Sequence, residues 1–300
     1  MRKLTGYMFL LGLSGVLYAQ KPADTPEPPM MGIHWARGAN AAGTHGGTSS
    51  PQMTFHGGNV MYTSTTAPIY WGVSWGNASF VGDKMTGLQS FYQGEGGSSY
   101  AGTADEYTDA GGAVTSGSTY IGAVTDLSAV TANGQRTGPV LTEVCKALAA
   151  GGVAPATNGY YPVYTDQPRG HAGFCAWHSW GSCNNVPIQF AFFFSLDGDP
   201  GCDPQDTSGI HSQGLAALAN VSGHELSEAR TDPRGAGWFD SSGAENGDKC
   251  AWTFGTPLLT FSNGSQWKIQ GNWSNNAYTA SSGYPNSSGQ KGCLDGGNFK

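Results

Sequence analysis

One stretch of this sequence constrains the fold more than any other, because it combines a helical pattern with a histidine and closely spaced carboxylates. The pattern predicts a helix over residues 209–230, and Pro233 ends it because proline clashes within a helix interior and moves the preceding residue out of the helical region. His224 and Glu228 are four residues apart and therefore share one face. Leucine side chains fall on roughly the opposite stripe, so we expect one face to pack in the core and the other to line a site.

The site face partly matches a zinc-binding helix. In the H-E-x-x-H pattern the two histidines bind Zn²⁺ and the glutamate acts as general base. Glu225 stands at the position of that base, and Glu228 replaces the second histidine. Because Zn²⁺ accepts carboxylate oxygen as well as imidazole nitrogen, His224 and Glu228 are an admissible ligand pair that needs a third ligand.

Two further segments offer partners for this pair. Glu-Asn-Gly-Asp at residues 245–248 predicts an acidic turn before Cys250, and either Glu245 or Asp248 is a candidate third ligand. His178 is a candidate catalytic residue, although a histidine among aromatic residues is more often a hydrogen-bonded core residue. The alternative for the acidic residues is that they are solvated helix, cap and turn residues.

A second acidic segment lies in a Gly/Pro-rich loop. Its carboxylates at Asp197, Asp199 and Asp203 make a Ca²⁺ site conceivable, since Ca²⁺ prefers oxygen ligands. The spacing departs from that of an EF-hand loop, so a solvated turn is the alternative interpretation.

The composition favours β structure with long loops. The chain has 300 residues, 47 of them glycine, and only 12% are charged. Helical spacing recurs in two shorter segments and strand-like apolar runs in three: helices at 85–93 and 140–150, and strands at 160–165, 173–180 and 186–196. We therefore predict a single α+β domain over residues 53–300, with a mixed β-sheet on which a zincin-like site helix packs.

A C-terminal β-hairpin is predicted around Asn263-Gly264, a pair typical of two-residue hairpin turns. Aromatic residues on both sides of the turn either belong to the core or offer rings to a sugar: Phe261, Trp267, Trp273 and Tyr278.

The N-terminal region predicts export. Residues 1–19 have a basic start, a short apolar run and a small residue before a cut, as in a signal peptide. Residues 20–52 lack periodicity and predict an exposed flexible leader, in which His34 and His45 are solvated.

Six cysteines favour three disulfides, with fifteen possible pairings. No later stretch is long enough to span a membrane, and a net charge of −7 argues against nucleic acid as a partner.

The sequence resembles the EXORDIUM / phosphate-induced protein 1 family of secreted proteins. The resemblance covers most of residues 53–294 and rests on six segments: MTFHGGNVMYTSTTAPIYWGVSW, CAWH, VSGHELSEARTDP, GWFD, GAENGDKC, and SNGSQWKIQGNWSNNAY with the Gly-Cys pair at 292–293. The family is extracellular and in plants is associated with the cell wall and growth. Five site candidates fall on its motif positions: His224, Glu225, Glu228, Glu245 and Asp248. Asp232 stands where plant members carry asparagine, which weakens it as a ligand, and the loop at 197–206 departs from the plant pattern.

Two functional hypotheses follow. The first is a secreted zinc-dependent, peptidase-like hydrolase that acts on an extracellular peptide, with Glu225 as general base and a metal held by His224, Glu228 and either Asp248 or Glu245. The second is a non-catalytic extracellular or cell-wall-associated binding protein, whose acidic cluster is structural and whose aromatic residues contact glycan.

Overall fold

The computed structural model describes residues 27–39 and 50–300. The predicted signal peptide over residues 1–19 lies outside the described residues, as do His45 and the leader residues 20–26 and 40–49. In the part that the structure describes, no helix is both long enough and apolar enough to cross a membrane.

Strands and helices are interspersed along the chain. The strands are β1 (Met31–Trp35), β2 (Thr54–Phe55), β3 (Ser64–Thr66), β4 (Ile69–Trp71), β5 (Thr108–Asp109), β6 (Gly112–Ala113), β7 (Ser118–Tyr120), β8 (Val124–Asp126), β9 (Gly159–Pro168), β10 (Phe174–Cys183), β11 (Val186–Ser195), β12 (Trp238–Phe239), β13 (Leu259–Thr260), β14 (Gln266–Trp267), β15 (Asn272–Trp273), β16 (Tyr284–Pro285) and β17 (Lys291–Leu294). The helices are α1 (Ala78–Val81), α2 (Lys84–Glu95), α3 (Thr137–Gly151), α4 (Gln213–Thr231) and α5 (Asn275–Ala280), with 3₁₀ turns at Val73–Gly76, Ala101–Ala104 and Asp248–Cys250.

The centre of the molecule is a mixed sheet, which has eight strands among the described residues. Its main path runs β1-β10-β11-β9-β3-β7, and β4 pairs with both β9 and β8. β10 is antiparallel to β1 and β11, whereas β9 is parallel to β11, β3 and β4. Together with the helices, this sheet confirms the predicted α+β class.

The three longest strands, β9 to β11, supply the core. They match the strands predicted from sequence to within three residues at either end, and most of their side chains are buried. Helices cover both faces of this part of the sheet. The Trp177 indole N–H donates to the Gln135 carbonyl beside α3 (3.2 Å), whereas the next residue, His178, approaches α4. Since successive strand residues point to opposite faces, α3 and α4 lie on opposite sides of β10.

All six cysteines are paired, as predicted. The bridges join α3 to β10, β10 to the loop after β11, and the acidic turn to β17: Cys145–Cys183, Cys175–Cys202 and Cys250–Cys293. Three disulfides fit a protein that folds in an oxidising compartment.

The site helix α4 begins and ends close to the predicted residues. The Ser212 hydroxyl caps its first turn by accepting the Leu215 N–H (3.2 Å), and the helix ends two residues before Pro233. The helix is more deeply buried than predicted. We expected one face in the core, but every residue from Gly214 to Thr231 is buried. The sheet, α2 and the C-terminal segments surround α4 completely, so its polar residues lie inside the protein.

The structure corrects the prediction of an exposed leader. Residues 31–35 form β1, the edge strand that pairs with β10, and His34 is fully buried instead of solvated. Met31, Ile33 and Trp35 alternate with Gly32 and His34, so a strand pattern was present but short. The apolar residues are only half-buried, and the alternate positions face the protein interior.

The C-terminal hairpin forms with shorter strands and a longer turn than predicted. β13 pairs with β14, and the loop tightens where the Phe261 N–H donates to the Ser265 carbonyl (2.8 Å). Phe261, Trp267 and Trp273 are buried, which supports the core interpretation for these three rings.

Candidate metal centre

Three elements bring the predicted site residues together. α4 supplies His224 and Glu228, β10 supplies His178, and the acidic turn supplies Glu245 and Asp248. The disulfide at Cys250 holds this turn against the C-terminal segments, so that it folds back over α4. The alternative of solvated surface residues is wrong, because four of these five side chains are at most 5% exposed and only that of Asp248 reaches 23%.

The residues divide into two overlapping groups that could hold a metal ion. One group is His178, Glu228 and Glu245, and the other is His224, Glu228 and Asp248. The candidate ligand atoms within each group lie within 4.8 Å of one another. The two histidines belong to different groups, and Glu228 belongs to both.

The spacing of the candidate ligands suits a small cation. Two ligands of a tetrahedral ion, each about 2.1 Å from it, lie about 3.4 Å apart. His178 Nε2 lies 3.2 Å from Glu245 Oε2 and 3.9 Å from Glu228 Oε2. His224 Nε2 lies 3.1 Å from the same oxygen of Glu228 and 3.8 Å from Asp248 Oδ1.

Several buried polar atoms at this centre have no hydrogen-bond partner. They include Glu228 Oε2, both carboxylate oxygens of Glu225, His178 Nδ1 and His224 Nε2. The other Glu228 oxygen is fixed by the Asp248 backbone N–H, which donates to it at 2.8 Å. Unpaired buried oxygen is costly, so Glu228 Oε2 has the character of a ligand atom turned toward a cation.

Gly32 of β1 packs directly against these atoms. A Cβ atom built on Gly32 would lie 2.5 Å from His178 Nε2 and still closer to His178 Cδ2 and Glu228 Oε2, so any side chain here would overlap both residues. Gly32 also has φ +47°, a conformation that glycine adopts most readily. Its lack of a side chain lets β1 approach His178 and Glu228 this closely.

A buried glutamine organises the other side of the centre. Gln270 Nε2 donates to the Gly247 carbonyl (2.8 Å) and lies 3.0 Å from His224 Nδ1. Gln270 Oε1 accepts the Trp252 backbone N–H (3.2 Å) and lies 2.9 Å from His34 Nε2. The His34 ring packs against that of His224, with centroids 4.2 Å apart.

Sequence reasoning missed Gly32, His34 and Gln270. Only the short strand pattern at residues 31–35 pointed toward β1, and no local pattern connects these residues to α4.

Burial shifts the acidic groups toward their protonated forms. Burial and the neighbouring Asp232 raise the pKa of Glu228 to about 8. Burial and the negative charge of Glu228 likewise raise the pKa of Asp248 to about 8. For the same reasons the pKa of Glu245 lies well above its ordinary value. A bound cation would reverse these shifts, since it stabilises the carboxylates in their charged forms.

Burial shifts the histidines in the opposite sense. It lowers the pKa of His178 to about 3 and that of His224 to about 4, although nearby Asp248 partly counteracts the second shift. Both rings are therefore neutral at physiological pH. Neutral imidazole is the form that binds metals.

Glu225 lies next to the centre without belonging to either ligand group. Burial, Glu228 and Asp248 raise its pKa well above the ordinary value. Glu225 is therefore close enough to these carboxylates for their charges to affect its pKa. Neither of its own carboxylate oxygens has a hydrogen-bond partner.

A cleft opens above the centre. It has a volume of about 790 Å³, and Gly32, Glu245 and Asp248 reach its surface. Aromatic and thioether side chains line other parts of it, including Met31, Trp35, Phe239 and Trp252. A ligand in this cleft would approach the metal centre from the side of β1 and the acidic turn.

The structure does not support the predicted Ca²⁺ site. Asp199 forms a two-point ion pair with Arg169 (2.6 and 2.9 Å), and Asp197 pairs with Lys84. Asp203 accepts the backbone N–H two residues further on at 2.7 Å, as in an ordinary turn. Each of these carboxylates therefore interacts with a different partner, and the three do not converge on one site.

Asp232 also has a turn role. Its Oδ1 accepts the backbone N–H groups of Ala236 (2.8 Å) and Gly237 (2.7 Å), which agrees with its demotion as a ligand.

Comparisons with protein-family models, with curated proteins and with solved structures find no match for this chain. The resemblance to the EXORDIUM family therefore stays a prediction.

Proposed function

We propose that this protein is a secreted metal-dependent hydrolase, peptidase-like in its chemistry, whose cation is held by His178, Glu228 and Glu245. The observation that carries the proposal is the convergence of three candidate ligand atoms within 4.8 Å of one another, one of which, Glu228 Oε2, is buried without a hydrogen-bond partner. His178 thereby takes the role of a ligand, in addition to the residues predicted from the α4 pattern.

Zn²⁺ fits this donor set of one nitrogen and two carboxylates, and in such a site it polarises a carbonyl group and lowers the pKa of a water molecule. In this proposal Glu225 accepts a proton in the reaction. Its buried, uncommitted carboxylate has a raised pKa, which suits a general base better than a fully solvated glutamate would. The adjacent cleft would admit an extracellular peptide or a cell-wall glycan.

The test compares two carboxylates that lie on neighbouring turns of one helix. Glu228→Ala removes a ligand, so we expect it to lower both the bound zinc and the melting temperature. Glu225→Gln keeps the shape and removes the base, so it should retain zinc and fold while turnover falls by roughly 10² or more.

The assay combines metal content of purified protein with a peptide and glycan substrate screen. Absence of bound metal in protein prepared with zinc would refute the metal site. An activity that Glu225→Gln leaves intact would refute the role of Glu225.

A non-catalytic extracellular binding protein is the second candidate, and the burial of the cluster beneath β1 favours it. In that case the screen yields no activity, and Glu225→Gln destabilises the fold as much as Glu228→Ala does.

A further inference from the structure

The orientation of the Gln270 amide is determined by two backbone groups. The Trp252 backbone N–H can only donate, and it faces Gln270 Oε1 at 3.2 Å. The Gly247 carbonyl can only accept, and it faces Gln270 Nε2 at 2.8 Å. Reversing the amide would place two donors together at one end and two acceptors together at the other. The nitrogen end of Gln270 therefore faces His224.

This orientation fixes the tautomer of His224. Gln270 Nε2 lies 3.0 Å from His224 Nδ1, and an amide nitrogen can only donate there. His224 Nδ1 must accept, so the single hydrogen of the neutral ring resides on Nε2.

Glu228 Oε2 on α4 lies 3.1 Å from this Nε2, but the two atoms are not in hydrogen-bond geometry. A nitrogen that carries hydrogen has no lone pair for a metal. His178 differs in one respect. Its Nε2 lies 3.2 and 3.3 Å from the two Glu245 oxygens, but its Nδ1 has no partner, so no donor at Nδ1 keeps the hydrogen on Nε2 when a cation replaces that contact.

We propose that Gln270 is a positioning residue that keeps the ring hydrogen of His224 on Nε2, and that the centre therefore binds one cation rather than two. This rests on the proposed function, which places that cation at His178, Glu228 and Glu245. The proposal removes His224 from the set of metal ligands.

The first test reads the tautomer directly. In ¹⁵N NMR of histidine-labelled full-length protein at neutral pH, His224 should show protonated Nε2 and unprotonated Nδ1, in the absence and in the presence of zinc. Assignment comes from loss of the signal in His224→Gln. The opposite tautomer would overturn the proposal, whether or not the protein binds metal.

The second test counts ions. Wild-type protein should bind one equivalent of Zn²⁺. Gln270→Glu places an acceptor beside Nδ1, moves the ring hydrogen there and frees Nε2, so this variant should bind two equivalents. Gln189→Glu is the control, because it buries a new carboxylate in β11 outside the centre. It should leave both the stoichiometry and the His224 tautomer unchanged.

The outcomes separate the two proposals. Wild-type protein that binds no zinc refutes the metal site but leaves the tautomer result decisive for Gln270. Wild-type protein that binds two equivalents, with loss of one in His224→Gln, overturns the assignment of His224 as a donor. If Gln270→Glu fails to fold by circular dichroism, Gln270→Met replaces it, and loss of the single His224 tautomer is then the expected result.

Discussion

Removing metal should make the stability of this protein fall as the pH rises from 6.5 to 8. The perturbation is a chelator, and the groups responsible are the buried carboxylates of the metal centre. Glu228 and Asp248 have pKa values raised to about 8 in the folded state. The folded metal-free protein therefore binds more protons than the unfolded chain in this range, and stability declines with rising pH.

The magnitude follows from the shift of one group. A carboxylate with a pKa near 4.5 when unfolded and about 8 when folded loses roughly 1.5 kcal/mol of stability between pH 6.5 and 8. We count a single group, because ionisation of Glu228 opposes ionisation of Asp248. The histidines with lowered pKa values add stability as the pH rises, but mostly below about 6.5, where the unfolded rings still bind protons.

Zinc should reverse this dependence of stability on pH. The ion requires deprotonated ligands, so its stabilisation grows as the pH rises, and a free concentration of 100 Kd contributes about 2.7 kcal/mol. The assay is urea unfolding at pH 6.5, 7.25 and 8, with chelator or with zinc. Outside the centre, Glu143 has a pKa raised to about 7 by burial and adds a slope of the same sign, but one that is independent of metal.

Matched variants assign the effect. Glu228→Gln should abolish the difference between the slopes with and without zinc, whereas Glu143→Gln should make both slopes more positive by the same amount and leave their difference unchanged. A chelated wild-type protein whose stability is constant or rises from pH 6.5 to 8 would refute the reasoning, as would equal slopes with and without zinc.

Three further outcomes are expected. Thiol titration of the denatured, unreduced protein should detect no free cysteine, and two or more free thiols would contradict the observed bridges. Gly32→Ala should weaken zinc binding at least tenfold by calorimetry because its methyl group would overlap Glu228 and His178 and displace them, whereas Gly38→Ala, also at positive φ but with open space around it, should bind zinc normally. Arg230→Met should destabilise the protein by about 3–5 kcal/mol in denaturant because it leaves Glu95 buried without its ion-pair partner (3.2 Å), and failure of a second change, Glu95→Leu, to recover most of that loss would argue against this explanation.

The sequence determined those features that depend on neighbours along the chain. The periodicity of α4, its end before Pro233 and the apolar runs of β9 to β11 are local signals, because side chains three or four residues apart in a helix, or two apart in a strand, share a face. The same logic placed His224 and Glu228 on one helix face, and the acidic composition of the turn at 245–248 made Glu245 and Asp248 candidate third ligands. The even cysteine count predicted three bridges but left their pairing open.

Tertiary structure alone decided how the centre is composed. Residues 32, 178 and 270 reach α4 only because β1 pairs with β10 and the C-terminal segment crosses the acidic turn. Nothing in the local pattern distinguishes an exposed leader from an edge strand whose alternate residues are buried. The tautomer of His224 depends on Trp252 and Gly247, which orient Gln270 from elsewhere in the fold. The local periodicity of the sequence indicates which face of a helix or strand a side chain occupies. The residues that this side chain contacts across the core are far apart from it in sequence, so they are determined only when the chain packs.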